Sequence, residues 1–305
     1  MVGILEIGCY FPDKRESNLD LAEKFDVTEE FIKGKIGVSE RSVKAATETV
    51  LDMCGKAFAN LIEKADVSPD AIGCCVVVTQ NPGLPHASAV LHGMLDLPES
   101  CAAFDISLGC SGYVYALSVM SSFMQQQGIE YGLLFTADPY STIVDPEDKA
   151  TALLFGDAAT ATLLKRDAGL VPVGFDFGTL GKEYMSLARV DGTLSMNGRQ
   201  VFNFAAKAIP PSVERLLNRL AIPREAIRDW YFHQGSRYIV DTIMKRLGLS
   251  EEKMIFDIDG YGNTVSSSIP VLLATRLKAV APGDLVFMSG FGVGLSWGSA
   301  VLKKV

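Results

Sequence analysis

Cys110 is the residue best placed for covalent chemistry. It stands where a short apolar run of strand length, Ala102–Ser107, turns at Gly109 into a helical pattern. The free N–H groups and the positive dipole end at the start of a helix favour a thiolate. Small neighbours on both sides of Cys110 leave room for another molecule to reach the sulfur. This placement indicates a nucleophilic cysteine, with an inert buried cysteine as the alternative.

Two further polar residues follow predicted strands. His233 closes the run Asp229–Phe232 and precedes a helix, the position that Cys110 holds in the first half, and Asn263 precedes another helix within GYGNTVSSS. Ligands of α/β sheets bind beyond the carboxyl ends of the strands, so all three side chains could reach one cleft. A thiol, an imidazole and an amide together suit acyl transfer. A satisfied structural histidine and a turn asparagine are the alternatives.

The elements that must position these residues alternate between strand and helix. The runs that predict strands are Val2–Gly8, Ala71–Thr79, Ala102–Ser107, Tyr131–Ala137, Leu170–Phe177, Asp229–Phe232, Met254–Ile258, Asp284–Ser289 and Leu295–Lys304. Leu153–Leu164 predicts a turn, FGDAA, and a further strand. The alternation predicts an α/β fold with mostly parallel sheets covered by helices. The order restarts near residue 170, which predicts two similar halves with one shared core: residues 1–168 with Cys110, and residues 169–305 with His233 and Asn263.

Helical periodicity fills most of the remaining chain. The predicted helices are Asn18–Lys35, Thr47–Ala65, Ser88–Leu95, the stretch from Cys110 to Gly128, Val201–Leu220, Ser236–Leu247 and Ser266–Val280. Pro210 and Pro211 lie inside one of them, so we expect a kink or a break there.

Composition narrows the class of protein. The 305 residues suffice for a large core in one or two domains, and the net charge of −8 argues against general nucleic-acid binding. The six cysteines are dispersed, show no zinc-site spacing and indicate a reducing compartment. No signal-peptide pattern and no run of membrane-spanning length occurs. We therefore expect a cytoplasmic protein without metal, membrane or nucleic-acid partners.

Several motifs in combination resemble the β-ketoacyl-acyl-carrier-protein synthase III family of the thiolase superfamily. They are AFDISLGCSGYVYAL around Cys110, FGDAATATLL at 155–164, MNGRQVFNFA at 196–205, FHQGSRYIV around His233, YGNTVSSSIP around Asn263, and GFGVGLSWGSAVL near the end. The resemblance covers essentially the whole chain. It implies a thiolase fold, with two βαβαβ-type halves in a five-layer α-β-α-β-α stack, and usually a homodimer.

The resemblance also implies a reaction and a site. Cys110 matches the nucleophile that takes an acyl group from a thioester. A malonyl group on a carrier protein then loses CO₂, and its carbanion attacks the acyl-enzyme. His233 and Asn263 match the pair that stabilises the thioester enolate. The backbone N–H groups of Cys110 and Val293 would bind the oxyanion. No cofactor is implied beyond the acyl-CoA or acyl-carrier-protein substrates.

Some positions depart from the family pattern. The family's HQAN is HQGS here, so Ser236 replaces an asparagine that helps hold pantetheine or water. Phe31 and Lys35 match the aromatic residue and arginine that grip the adenine end of CoA, and Lys149 matches a further arginine. Lysine does not reproduce an arginine fork. Acyl-CoA and acyl-carrier protein therefore both stay open as the first donor.

Two surface features matter for substrate and partner. In the loop NPGLPHAS, Leu84 replaces a phenylalanine that many members place at the end of the acyl pocket, so a longer acyl chain would fit. Packing at a dimer interface is the alternative. Arg237, Lys245 and Arg246 form a basic patch that would steer an acidic carrier protein, and the last two match family positions for that contact. A solvated helix face is the alternative.

The sequence thus predicts a decarboxylative condensing enzyme. One rival keeps the three residues but passes the acyl group from Cys110 to an alcohol, an amine or another small acceptor without decarboxylation. The other rival is a non-catalytic partner subunit, against which the intact cysteine, histidine and asparagine argue.

Overall fold

The computed structural model describes residues 1–81 and 83–305; Pro82, in the loop NPGLPHAS, lies outside the described residues. The strands are β1 (Val2–Tyr10), β2 (Arg15–Ser17), β3 (Glu40–Ser42), β4 (Ile72–Val78), β5 (Ala102–Ile106), β6 (Tyr131–Ala137), β7 (Ala159–Arg166), β8 (Leu170–Thr179), β9 (Leu187–Val190), β10 (Thr193–Met196), β11 (Ile227–Phe232), β12 (Leu285–Gly292) and β13 (Ser296–Lys304). The α-helices are α1 (Glu29–Phe31), α2 (Val50–Ile62), α3 (Ala87–Met94), α4 (Gly112–Gln127), α5 (Lys149–Ala152), α6 (Gly198–Leu220), α7 (Arg237–Leu247) and α8 (Ser268–Arg276).

One order of strands occurs twice. The first series runs β5-β4-β6-β7-β1, and the second runs β11-β12-β13-β8. The series meet where Ile4 pairs with Leu170. β8, β11, β12 and β13 therefore correspond to β1, β4, β6 and β7. Among the strands of the described residues, only β4 with β5 and β6, and β11 with β12, pair in parallel, so the expectation of mostly parallel sheets was wrong. β7 and β13 make each sheet mixed because they run antiparallel to both of their neighbours.

The helices form three layers around the two sheets. α4 and α8 lie between the sheets and contact strands of both series. α2 and α3 cover the outer face of the first sheet, and α6 covers that of the second. α7 packs against α6, and its buried side chains share a cluster with those of β11. α4 is suited to the middle layer because large apolar side chains such as Tyr113, Leu117 and Met120 are buried along it. The predicted α-β-α-β-α stack is confirmed, while the division at residue 168 stays a prediction.

The predicted helix Asn18–Lys35 was wrong for most of its length. Helical structure is confined to α1 and a wider turn over Ile32–Ile36. Asn18 is buried, and its side-chain nitrogen donates to the carbonyls of Val38 at 2.9 Å and Leu153 at 2.7 Å. These tertiary hydrogen bonds hold the start of the segment in a series of turns instead of a helix.

The predicted break at Pro210 and Pro211 does not occur, since α6 runs unbroken through both residues, and a kink there stays a prediction. Pro210 has no N–H to donate to the carbonyl of Ala206, four residues earlier. The guanidinium of Arg246 supplies that bond instead, with its Nη1 at 2.8 Å from the Ala206 oxygen.

The predicted strand Met254–Ile258 is reduced to one bridge, between Met254 and Trp230. Beyond that bridge the chain leaves its own sheet. The carbonyls of Asp259 and Tyr261 accept hydrogen bonds at 3.0 and 3.2 Å from N–H groups of β3 in the first half. The second sheet therefore has four strands where the first has five.

Candidate active site

Cys110 lies at the turn between β5 and α4 and is only 3% exposed. A Cβ atom added to Gly292, at the end of β12, would lie 2.6 Å from the cysteine sulfur, so no side chain fits between them. The backbone N–H groups of Val293 and of Cys110 itself hydrogen-bond this sulfur. The predicted pair of backbone donors therefore converges on the sulfur of Cys110.

Burial, rather than the helix terminus, controls the acidity of this thiol. Desolvation raises the pKa of Cys110 to about 12, and the two backbone N–H groups lower it by less than burial raises it. Burial thus opposes the thiolate that the start of the helix was predicted to favour. The sulfur is a thiol at neutral pH and needs a base when it reacts.

His233 follows β11 and is 3% exposed. Its backbone N–H donates to the carbonyl of Ser289 at 2.8 Å, and its ring packs edge-to-face on Phe291 with the centroids 5.5 Å apart. Among the described residues the Nδ1 atom has no hydrogen-bond partner. Burial lowers the pKa of His233 to about 3, so the imidazole is neutral at physiological pH. A neutral ring can accept one proton and donate another.

Asn263 is held by the other half of the molecule. Its backbone N–H donates to Leu154 at 2.9 Å, and its carbonyl accepts from Gly156 at 3.0 Å. The side-chain oxygen accepts the N–H of Val265 at 3.0 Å, which leaves the amide nitrogen as the group that Asn263 can offer to a bound molecule. By strand order Asn263, and not His233, holds the position equivalent to Cys110; His233 corresponds to the end of β4.

One cavity of about 1020 Å³ brings the three predicted residues together. Cys110, His233 and Asn263 all line it, beside Phe291 and Gly292. Apolar side chains such as Leu187 and Met196, from the β9–β10 hairpin, contribute to its wall. Sequence reasoning missed this hairpin because its strands are four residues each and largely exposed.

Four predicted binding residues also line the cavity: Phe31, Lys35, Lys149 and Ser236. The ammonium group of Lys149 lies 5.7 Å from the centroid of the Phe31 ring. Ser236 caps α7, where its hydroxyl oxygen accepts the N–H of Ile239 at 3.4 Å. Two cations and an aromatic ring thus lie in the same cavity as Cys110, an arrangement that suits a phosphate-bearing thioester arm.

Sequence reasoning missed three neighbours of these residues that line the cavity: Arg199, Phe202 and Tyr238. The rings of Phe202 and Tyr238 stack with centroids 5.0 Å apart. The ammonium group of Lys35 lies 4.4 Å from the Tyr238 ring. The motif MNGRQVFNFA contains two of the three residues, so it was the available signal.

The other predicted surface residues lie outside this cavity. Leu84 is fully exposed and does not line it. Arg237 packs its guanidinium 4.1 Å from the centroid of Phe256. Lys245 and Arg246 are both exposed on α7, and the Arg246 guanidinium donates a hydrogen bond to the carbonyl of Ala206. A steering patch would therefore rest more on Lys245 than on Arg246.

Comparison with solved structures identifies the architecture. A solved 3-oxoacyl-(acyl-carrier-protein) synthase III is similar with a TM-score of 0.94 and 32% identity, covering 99% of both chains. The corresponding enzyme from Aquifex aeolicus VF5 gives 0.93 and 30%, covering 99% of this chain and 100% of that chain. The protein therefore has the thiolase fold, as predicted.

Comparison of sequences identifies the family. Family models described as 3-oxoacyl-[acyl-carrier-protein] synthase III and its C-terminal part match residues 104–181 and 217–304. A relative from Shigella flexneri serotype 5b, named beta-ketoacyl-[acyl-carrier-protein] synthase III, is 32% identical over 314 residues and 98% of each chain. The chain belongs to the 3-oxoacyl-[acyl-carrier-protein] synthase III family of condensing enzymes, and the predicted resemblance is confirmed.

Proposed function

We propose that this enzyme joins an acyl group, carried on Cys110, to the malonyl group of malonyl-acyl-carrier protein with loss of CO₂. The observation that carries the proposal is the meeting of Cys110, His233 and Asn263 in one cavity, on elements from both halves. The relatives, named as synthases of 3-oxoacyl-carrier protein, support the same reaction.

The first step transfers the acyl group. The Cys110 thiol gives its proton to the neutral imidazole of His233 as the sulfur attacks the thioester carbonyl. The N–H groups of Cys110 and Val293 stabilise the oxyanion of the tetrahedral intermediate. The carrier thiolate then leaves and takes the proton from His233. The result is an acyl-enzyme and a neutral histidine, ready for the second substrate.

The second step uses His233 and Asn263. As CO₂ leaves the malonyl thioester, the electron pair moves onto the thioester oxygen as an enolate. An imidazole N–H and the free amide nitrogen of Asn263 donate hydrogen bonds to this oxygen. The carbanion attacks the acyl carbonyl on Cys110 and expels the Cys110 thiolate, which takes up a proton from solvent and returns to the thiol. A buried, water-poor site strengthens these hydrogen bonds and protects the carbanion from protonation.

The experiment that tests the proposal is intact-mass spectrometry of Cys110 with acyl-CoA and acyl-carrier-protein donors, followed by measurement of CO₂ release from malonyl-carrier protein. Acylation with CO₂ release supports condensation. Acylation without CO₂ release, when an alcohol or amine accepts the group, supports the acyltransferase alternative. A chain that is never acylated would be the non-catalytic subunit.

Several expectations of the sequence belong with this proposal. We propose a cytoplasmic homodimer that needs no cofactor or metal beyond its thioester substrates. The free state of all six cysteines supports a reducing compartment. Among the described residues no helix has the length and apolarity to cross a membrane. Phe31, Lys35, Lys149 and Ser236 would hold the pantetheine arm of either donor.

A further inference from the structure

The acyl group on Cys110 needs a place of its own. In the proposed function the second thioester must enter the same cavity to reach His233 and Asn263. An acyl chain lying in that cavity would block it. The acyl chain must therefore extend to the other side of Cys110, and whatever packs there sets the length that fits.

Gln80 and Tyr140 pack on that other side. Among the described residues none between 37 and 109 lines the cavity, and Tyr140 does not line it either. A Cβ atom added to Gly109, the residue before Cys110, would come within 2.4 Å of the Gln80 side-chain oxygen. The Gln80 amide therefore lies directly against the backbone that leads into Cys110.

Tyr140 holds Gln80 in that place. The Tyr140 hydroxyl donates to the Gln80 side-chain oxygen at 2.5 Å, and Tyr140 is only 5% exposed. The Tyr140 ring packs on Phe155, a cavity residue, with centroids 5.1 Å apart. Tyr140, Phe155 and Cys110 belong to one packed cluster. The pair thus packs beside the nucleophile, in the same cluster as Cys110 and Phe155.

A backbone hydrogen bond also holds Gln80 in place. The N–H of Gln80 donates to the carboxyl group of Asp138 at 2.6 Å, and Asp138 is fully buried. An acyl chain that passes this point must displace the Gln80 side chain and separate its oxygen from the Tyr140 hydroxyl. A buried hydroxyl without a partner is costly, so the pair resists displacement.

We propose that the hydrogen-bonded pair of Gln80 and Tyr140 determines acyl-donor specificity by limiting the group on Cys110 to short chains such as acetyl and propionyl. This inference rests on the proposed function and deepens it. It assigns chain length to Gln80 and Tyr140 rather than to Leu84.

The test compares rates of Cys110 acylation by acetyl and octanoyl thioesters, followed by intact-mass spectrometry. In the unmodified enzyme the acetyl rate should exceed the octanoyl rate by about tenfold or more. Gln80→Ala should raise the octanoyl-to-acetyl ratio by about tenfold. Tyr140→Phe keeps the bulk of the ring but frees Gln80, so it should raise the ratio less, and it carries the test if Gln80→Ala fails to fold.

Gln200→Ala is the matched control. The Gln200 side-chain oxygen accepts a hydroxyl hydrogen bond from Ser186 at 2.7 Å and does not line the cavity. Its removal should leave the ratio unchanged. The inference is overturned if the unmodified enzyme takes octanoyl as fast as acetyl, or if Gln80→Ala and Tyr140→Phe accept acetyl with an unchanged ratio. If no thioester acylates Cys110, the proposed function is wrong, and this inference, which depends on it, is wrong as well.

Discussion

Cys110 and Asn263 occupy equivalent positions in the two halves, yet the chain holds them differently. Cys110 follows a full strand, β5, and precedes the 16-residue helix α4. Asn263 follows a segment that makes one bridge to its own sheet, and the carbonyls of Asp259 and Tyr261 in that segment accept hydrogen bonds from β3 of the first half. Regular elements of its own half thus carry the nucleophile, with Gly292 and Val293 of the second half packed against its sulfur, whereas the amide stands on a loop that the contact between halves holds. One site can therefore combine a residue on regular secondary structure with a residue on a loop that the other half of the molecule holds in place.

The largest expected effect is on the first half. Cys110→Ala should abolish covalent acylation and condensation while the fold stays intact, because the substitution removes the acyl carrier and little volume. Intact-mass spectrometry and circular dichroism check the two parts. Undiminished acyl-enzyme in this variant would show that another residue carries the acyl group.

Substitutions in the second half should affect decarboxylation first. Asn263→Ala or His233→Ala should slow decarboxylation by roughly 10²–10³, the usual loss for one oxyanion donor. Asn263→Ala should slow acylation of Cys110 much less, since the backbone N–H groups of Cys110 and Val293 and the imidazole of His233 remain. His233→Ala should slow acylation as well, because His233 is the base that takes the thiol proton. A variant that loses acylation but decarboxylates normally would reverse the proposed roles.

The contact between halves can be broken at Gly156. A Cβ atom added there would lie 1.8 Å from the carbonyl oxygen of Tyr261, so Gly156→Ala must displace the loop that holds Asn263. We expect slower decarboxylation, by up to about 10²-fold, with acylation largely retained. Gly55→Ala is the matched control, because nothing lies within 4 Å of its added Cβ atom. Equal effects of the two substitutions would contradict positioning across the halves.

The burial of the Cys110 thiol predicts how its alkylation rate depends on pH. Because the pKa of Cys110 is raised to about 12, its alkylation by iodoacetamide in the free enzyme should keep rising with pH. The rise should be about tenfold for each pH unit, as the thiolate fraction grows. Cys110→Ala gives the background from the other five cysteines. A rate that is already constant near neutral pH would restore the thiolate that the sequence predicted.

The smallest effect concerns stability of the second half. Arg246→Ala leaves the Ala206 carbonyl without the bond that Pro210 cannot supply, and should lower the free energy of unfolding by about 1–2 kcal/mol. Lys245→Ala, one residue away and exposed, should leave it nearly unchanged. Denaturant unfolding compares them. Equal stabilities would mean that α6 tolerates its prolines without help.

The regular elements could be predicted from the sequence, and the elements held by distant contacts could not. Tyr131–Ala137 was predicted to the residue because continuous apolar runs mark buried strands. The end of α4 was also predicted from the sequence, because glycine is the residue that most readily ends a helix in the left-handed conformation. Gly128 adopts that conformation, with a φ of 69°. Pro210 looked like a helix break because its compensating partner, Arg246, lies far along the chain.

In the candidate site, too, residues marked by the local sequence could be predicted and properties set by distant contacts could not. Cys110, His233 and Asn263 were found because each stands at the end of a predicted strand or before a helix. The raised pKa of Cys110 could not be predicted. The position of Cys110 before a helix is visible in the local sequence, whereas its burial depends on β12 and the turn after it, which are distant in the chain. Gln80 and Tyr140 carry no motif, and their contact becomes visible only when β4 and β6 are placed side by side.

The division of labour between the halves is tested most directly by CO₂ release from malonyl-carrier protein in the Cys110→Ala enzyme. His233 and Asn263 remain intact in this variant, so decarboxylation should persist within about tenfold of the unmodified enzyme although no acyl-enzyme forms. A loss of CO₂ release as large as that of Asn263→Ala would contradict the account, because decarboxylation would then depend on the nucleophile as much as on the second half.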